Sequence, residues 1–201
     1  MNKSIFNITS QQTDLDSKIV IGLERISEAF RALLWDHAKA IGLSPIQIQI
    51  LIFVAYHTEH LCTVSHLAQE FNVTKPTISD AVKALEKKGL IFKNKTVADS
   101  RSYYISLTQK GKKHVSETEN FANPIQQQLE KFDEAQKESL FNVITLLIHK
   151  LNKSGVLSVQ RTCYACKFYE KREKHDYCNL INVDLKNSDI RLDCPEFEKK
   201  L

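Results

Sequence analysis

Residues 67–111 read LAQEFNVTKPTISDAVKALEKKGLIFKNKTVADSRSYYISLTQKG and carry the pattern that decides the fold. The pattern predicts two short helices joined by a turn, the second helix covering residues 75–88 with one apolar side. Two β-rich runs follow, at residues 90–95 and 103–107, and a polar tip joins them. This order is typical of a winged helix-turn-helix, which places one helix in the DNA major groove and a β-ribbon beside it.

The segments around this stretch are predicted to be helical. Apolar residues recur at every third or fourth position, capping residues stand at the starts, and glycines follow the ends. The predicted helices cover residues 16–40, 46–57, 64–71, 108–132 (with a bend near Pro124) and 133–151. The fold class is therefore mainly α with a small β wing.

The chain divides into three predicted parts. Residues 1–15 are expected to be disordered, and residues 16–155 form the winged helix-turn-helix and dimerisation domain, with its DNA reader at 63–113. Residues 156–201 are a small cysteine-rich module. The first and last long helices have apolar sides too wide for the small core, which favours a homodimer over an intramolecular bundle. A two-fold dimer also suits a palindromic operator.

Positive charge is concentrated in the reader. Residues 63–113 hold ten Lys and Arg against four acids, a net charge of +6, whereas the rest of the 201-residue chain carries −2. Neutralising DNA phosphates is the main use of such a surface. Double-stranded DNA is therefore the expected partner.

The candidate DNA-binding residues lie on the second helix of the reader and on the hairpin. Their side chains are cations, hydroxyls and one carboxylate, which can meet phosphates or base edges. They are Lys75, Thr77, Ser79, Asp80 and Lys83 on the helix, and Lys93, Lys95 and Arg101 on the hairpin. We expect Asp80 to pair with Lys83 one turn on, and Asp99 to hold the hairpin tip while Arg101 reaches DNA.

Several ordered motifs resemble the MarR family of transcriptional regulators. They are LSPIQIQIL (43–51), LAQEF (67–71), TISDAVKALEKKGLI (77–91), DSR (99–101) and ISLTQKG (105–111). The resemblance covers about residues 16–151. It implies a dimer made by the terminal helices that binds a palindromic promoter element, usually as a repressor, and a small-molecule effector between dimer and reader. It also makes Arg101 the wing residue, while Asp80 stands where the family more often has a neutral or basic residue.

Four cysteines form a second pattern in the tail: Cys163, Cys166, Cys178 and Cys194. In a reducing compartment this pattern favours metal over disulfides, and four thiolates complete a metal shell. One C-x2-C pair with two isolated cysteines, the last before proline, is closer to iron–sulfur ligation than to a zinc knuckle. An iron–sulfur cluster, of the 4Fe–4S type, is therefore preferred, Zn²⁺ is the alternative, and disulfides come third.

Two other residues of types that bind metals are not expected to be ligands. His175 lies in a charged run and is expected to be solvated, and Cys62 is expected to be a small core residue. If the tail holds iron and sulfur, the state of the cluster is expected to alter DNA affinity by changing the spacing of the reading heads across the dimer. With zinc, the tail is structural and regulation comes from the effector.

Other classes of protein are less consistent with the sequence. The five glycines form no nucleotide-binding loop, and no nucleophile motif with a matching base is present, so an enzyme is not expected. An iron–sulfur electron-transfer or interaction protein remains a rival. The polar start lacks a signal peptide and no apolar run could span a bilayer, so we expect a cytoplasmic protein without membrane contact.

Overall fold

The computed structural model describes residues 4–95, 103–173 and 175–200, with only the backbone of Ser10. Within them the helices are α1 (Ile8–Thr13), α2 (Leu15–Ile41), α3 (Pro45–Tyr56), α4 (Val64–Glu70), α5 (Lys75–Lys87), α6 (Gln109–Thr118), α7 (Asn123–Leu129) and α8 (Glu134–Lys153). The strands are β1 (Ile91–Lys95), β2 (Tyr103–Leu107), β3 (Tyr169–Lys171), β4 (Asp176–Cys178) and β5 (Val183–Leu185). The predicted helices at 16–40, 46–57, 64–71, 75–88 and 133–151 and both wing strands are thus confirmed.

Local capping explains where the long helices begin and end. The Asp14 carboxylate accepts from the backbone N–H of Ser17 at 2.9 Å and starts α2. Gly42, with φ 65°, ends it in the left-handed region that costs glycine nothing. Asp133 and Gln136 form the predicted capping box that starts α8. These ends are set by a few neighbouring residues, so the sequence locates them well.

The core is built around α3, which is apolar on nearly every side. Ile48, Ile50 and Leu51 of α3 are fully buried, and α4, α5 and the hairpin close over them. The hairpin is antiparallel, with Ile91 opposite Leu107. The backbone N–H of Ile105, in the middle of β2, donates to the carbonyl of Cys62 at 2.9 Å, which fixes the hairpin to the segment before α4. Burial of these aliphatic side chains holds the reader together.

Two predictions differ from the structure. The single helix predicted for residues 108–132 is broken into α6 and α7, because Pro124 lacks an amide hydrogen and disfavours helical backbone before it. The segment before α2, predicted to be disordered, contains the short helix α1 among its described residues.

The first long helix packs on α1 and α3, and large apolar side chains along it, among them Ile19, Ile26 and Phe30, remain 40–52% exposed. That arrangement weighs against the intramolecular bundle of the two terminal helices. No helix in the described ranges is by itself long and apolar enough to cross a membrane; α2 and α3 pass that test only together, as a pair bent by 92°.

The cysteine-rich module is a small sheet with short connecting turns. Strands β3, β4 and β5 form one antiparallel sheet in chain order, with Tyr169 opposite Cys178. The module begins where α8 ends, after Gly155 at φ 80°. It packs along α8 and against the reader, so its position is fixed by both.

Candidate nucleic-acid interface and cysteine module

The N-terminal half of α5 presents a polar, positively charged face. Thr74 caps the helix by accepting from the backbone N–H of Thr77 at 3.3 Å, and the two threonine hydroxyls lie 2.8 Å apart. Lys75, Thr77 and Lys83 are exposed, and Ser79 is half-buried. The opposite face of α5, with Ile78 and Val82, is fully buried. Packing therefore fixes the polar face outward, where a helix N-terminus also attracts phosphate.

The carboxylate on this face is already paired. Lys83 Nζ lies 3.1 Å from Asp80 Oδ1, and both side chains are well exposed. The predicted pair is confirmed. An exposed pair of this kind is weak, so Lys83 can exchange Asp80 for a phosphate at little cost.

The hairpin contributes a second basic element beside α5. Lys95 is exposed at the end of β1, whereas Lys93 is half-buried. Lys93 Nζ lies 2.5 Å from the Glu86 carboxylate of α5 and 5.0 Å from the ring centre of Tyr103. Lys93 therefore holds the hairpin to α5, a role that its spacing did not predict. The predicted tip residues Asp99 and Arg101 lie outside the described residues.

The C-terminal end of α5 is held by the start of α6. The Thr108 hydroxyl donates to the Gly89 carbonyl at 2.7 Å and also accepts from the Gly111 amide at 3.0 Å. Lys110 Nζ donates to the Lys88 carbonyl at 3.1 Å. These bonds satisfy carbonyls that the end of a helix leaves open, and they fix the orientation of α5 on the hairpin.

The four tail cysteines converge on one place. Cys163, Cys166, Cys178 and Cys194 line a single small cavity whose wall is otherwise largely apolar. All are free thiols, so no disulfide joins them. Burial raises the pKa of Cys163, and the neighbouring thiols add to the shift. The backbone N–H of Arg191 donates to Cys163 Sγ at 3.2 Å, the type of bond that stabilises a metal-bound thiolate.

The donor set of four thiols around one cavity fits a soft metal by its chemistry. Within the described ranges, no group of three or more histidine, cysteine or acidic side chains is arranged to hold a metal ion. A single Zn²⁺ requires four sulfurs within about 2.3 Å of one point. A multi-iron cluster spreads its thiolates wider. His175 is not among the cavity residues and pairs instead with Asp184 at 3.0 Å.

An ionic junction joins the cysteine module to the reader. Arg161 donates to both carboxylate oxygens of Glu70, at 2.8 and 3.1 Å, and to the Asp193 carboxylate at 3.0 Å. His57 Nε2 lies 2.7 Å from the same Asp193. The hydrogen bond from Arg161, helped by His57, lowers the pKa of Asp193 to about 2. The side chains of Arg161 and Glu70 are only 11% and 20% exposed, so their contact is shielded from solvent, whereas the Asp193 side chain is 45% exposed.

Sequence reasoning missed this junction. Arg161 and Glu70 are 91 residues apart, and although Glu70 stands in LAQEF (67–71), Arg161 stands in no motif that it shares. The one local signal was position, because Arg161 and Asp193 each lie within two residues of a tail cysteine. A cavity of about 490 Å³ lies beside the junction, with Leu61, His60 and Phe197 in its wall.

Comparison with known protein families gives a match over the winged helix-turn-helix part of the chain. Residues 41–102 match the model of the MarR family. That match spans α3 to the hairpin and includes the exposed face of α5. The cysteine module lies outside it.

Solved structures extend the likeness beyond that segment. The chain is similar to the Staphylococcus aureus MepR–DNA complex, with 23% identity and a TM-score of 0.58 over 66% of this chain and 97% of that one. Transcriptional regulator PA3341 is 26% identical, with a TM-score of 0.58 over 67% of this chain and 98% of that one. A MarR/EmrR family transcriptional regulator from Acinetobacter sp. ADP1 is 24% identical, with a TM-score of 0.57 over 70% of this chain and 99% of that one. These likenesses show the fold, and about three tenths of this chain lies outside them.

Proposed function

We propose that this chain is a MarR-type transcriptional regulator that binds double-stranded DNA. The observation that carries the proposal is the exposed face of α5, where Lys75, Lys83 and the N-capping Thr74 lie beside a basic hairpin. Lys75 and Lys83 contact phosphates, and the hydroxyls of Thr77 and Ser79 reach phosphates or base edges. Lys95 and Arg101 extend the contact along the wing. The MepR–DNA complex supports the same use of this fold.

The regulator acts as a homodimer built from its long helices. Large apolar side chains on α2 and α8 are 38–68% exposed: Leu15, Ile19, Val20, Leu23, Ile26, Phe30, Leu140, Val143 and Leu146. Soluble monomers rarely leave so many large apolar side chains exposed along their helices. A second copy is the occupant, because a two-fold dimer buries this face and presents two α5 helices to a palindromic operator. Occupying a promoter in this way represses transcription.

The cysteine module holds an iron–sulfur cluster and makes the regulator responsive to redox or iron–sulfur status. Cys163, Cys166, Cys178 and Cys194 would hold the cluster, whose iron supplies one-electron chemistry when bound. One observation supports this assignment: four free thiols line one small cavity whose wall is otherwise largely apolar. The apolar wall excludes water, and Arg191 directs its amide at one sulfur.

A second candidate is a ligand-responsive regulator whose tail holds a structural zinc ion. The cavity of about 490 Å³ favours it, because it joins reader and module and has both apolar and imidazole walls. Elemental analysis of protein purified without oxygen separates the two. Iron with acid-labile sulfide in a brown protein supports the first, and one zinc per chain in a colourless protein supports the second.

The DNA-binding proposal is tested by selecting bound duplexes from a random library with the full chain. We expect enrichment of a palindrome whose half-sites lie about one helical turn apart. Transcription in vitro from a promoter carrying that palindrome should then fall as the protein is added. Recovery of unrelated duplexes with no shared half-site would overturn sequence-specific binding.

A further inference from the structure

The cysteine module contacts the two parts of the reader that position α5. Glu70, the last residue of α4, receives both hydrogen bonds from Arg161. Asn72, the turn residue between α4 and α5, has a φ of 53°. Its side-chain Nδ2 donates to the Val156 backbone carbonyl at 3.3 Å, and its side-chain Oδ1 accepts from the Ser158 hydroxyl at 3.0 Å. The turn that sets the angle of α5 is therefore held by the first residues of the module.

On the module side, the same arginine is tied to the cysteine backbone. The amide of Cys194 donates to the Arg161 carbonyl at 3.2 Å, and Asp193, which binds the guanidinium, immediately precedes it. The amide of Cys163 donates to the Arg191 carbonyl at 3.2 Å. A change that moves Cys194 therefore acts directly on Arg161 and Asp193, and a change that moves Cys163 acts on Arg191, two residues before Asp193.

We propose that Arg161 is a coupling residue, through which the order of the cysteine module sets the position of α4 and the α4–α5 turn. The inference rests on the proposed function, because its output is the affinity of α5 for duplex DNA. In this mechanism the module acts on α5 through contacts within one chain, and it does not need to change the spacing of the reading heads across the dimer. With the module ordered, Asp193 and Glu70 share the guanidinium and the turn is held. With the module disordered, Arg161 loses its contact with Asp193, and the α4–α5 turn is no longer held in place.

Such a device works only if DNA distinguishes the two arrangements. Linkage then requires that ordering of the module and binding of DNA favour each other by the same factor. We expect a factor of about ten, the change that a coupling free energy of about 1.4 kcal/mol produces. Disorder in the module should weaken DNA binding, because DNA must then position α5 itself.

The experiment combines a change in the module with a change at the junction. In the full chain, Cys166→Ser disturbs the module from its buried cysteine. Glu70→Gln removes the charge that Arg161 binds while keeping the shape of the side chain. Glu117→Gln is the matched control, since this α6 carboxylate also faces basic groups, Lys113 and His114, without touching the module. Cys178→Ser is the second module variant.

Two readouts are measured, the affinity for a duplex and amide exchange in residues 64–73. We expect the serine variants to weaken duplex binding about tenfold in the parent and in Glu117→Gln, but less than about twofold in Glu70→Gln. Exchange in residues 64–73 should rise in the same backgrounds. Equal weakening in the Glu70→Gln background, or no weakening in the parent, overturns the coupling.

The readouts also separate this inference from the proposed function. If the parent protein binds no duplex, the proposed function fails and no DNA output exists to regulate. The exchange measurement then decides the mechanical part alone: faster exchange that depends on Glu70 supports it, and unchanged exchange refutes it.

Discussion

The backbone of Gly111 lies directly against the carbonyl of Leu90. A Cβ atom built on Gly111 would come 2.0 Å from the Leu90 oxygen and 3.0 Å from its carbonyl carbon. Because both contacts are with backbone, no side chain can move to relieve them. The start of α6 is therefore pressed against the entry to the wing, just beyond the end of α5, and only glycine permits this distance.

The first prediction concerns this contact. We expect Gly111→Ala to lower the free energy of unfolding by about 2–3 kcal/mol, because α6 must move away from the hairpin. Gly22→Ala is the control: no atom lies within 4 Å of its built Cβ, and alanine in a helix interior should stabilise by up to about 1 kcal/mol. Urea unfolding at one protein concentration measures both, and equal effects would contradict the packing described.

The second prediction concerns Cys62, which is buried as the sequence suggested. Burial raises the pKa of this thiol to about 11, and its Sγ lies 3.5 Å from the Thr58 carbonyl. Since the thiolate is the reactive form, we expect no alkylation of Cys62 by iodoacetamide at pH 8 in the folded protein. Mass spectrometry of the native and denatured chain checks this, and native labelling at the denatured rate would show that the pKa is not raised.

The same shift predicts how stability depends on pH. The folded pKa of Cys62 lies above the unfolded value of about 9, so the unfolded state loses its proton first as pH rises. Stability should therefore fall between about pH 9 and pH 11, and Cys62→Ala should make that fall shallower. Unfolding curves across this range test it; parallel curves for both proteins would contradict it.

The third prediction concerns Lys83 on the DNA-facing side of α5. We expect Lys83→Gln to weaken duplex binding and to reduce the slope of log affinity against log salt by about one phosphate contact per chain. Lys131→Gln is the control, because Lys131 lies beyond α7 and pairs with Gln128. If both variants lose affinity equally, α5 is not the binding face.

The fourth prediction concerns the exposed apolar face of α2. Ile26 is 52% exposed there, and Ile26→Glu should give a monomer because the dimer would bury an unpaired carboxylate. Arg25→Glu changes a neighbouring side chain that is 81% exposed and should leave the dimer intact. Sedimentation at micromolar concentration separates these outcomes, and a dimeric Ile26→Glu protein would mean that another face mediates assembly.

The parts of the fold that the sequence predicted are those controlled locally. Asp14, Thr74 and Asp133 start helices with their own side chains, and Gly42 ends one through its left-handed backbone. The break between α6 and α7 was underestimated as a bend at Pro124, since the sequence alone does not show how far a proline disrupts a helix.

The parts that the sequence did not predict depend on contacts across the chain. Lys93 is predicted to contact DNA because it flanks the hairpin tip together with Lys95, and the sequence did not reveal its ion pair with Glu86 on another element. The junction of Arg161 with Glu70 joins residues with no shared motif. Such pairs form only after the helices have packed, so no local periodicity reveals them.

The most direct test of the central claim is binding of the purified full chain to a labelled duplex across a range of salt concentrations. We expect a dimer whose log affinity falls linearly with log salt, with a slope steeper than about −4 from two reading heads. A monomer, or a dimer that fails to bind duplex at low salt, would contradict it.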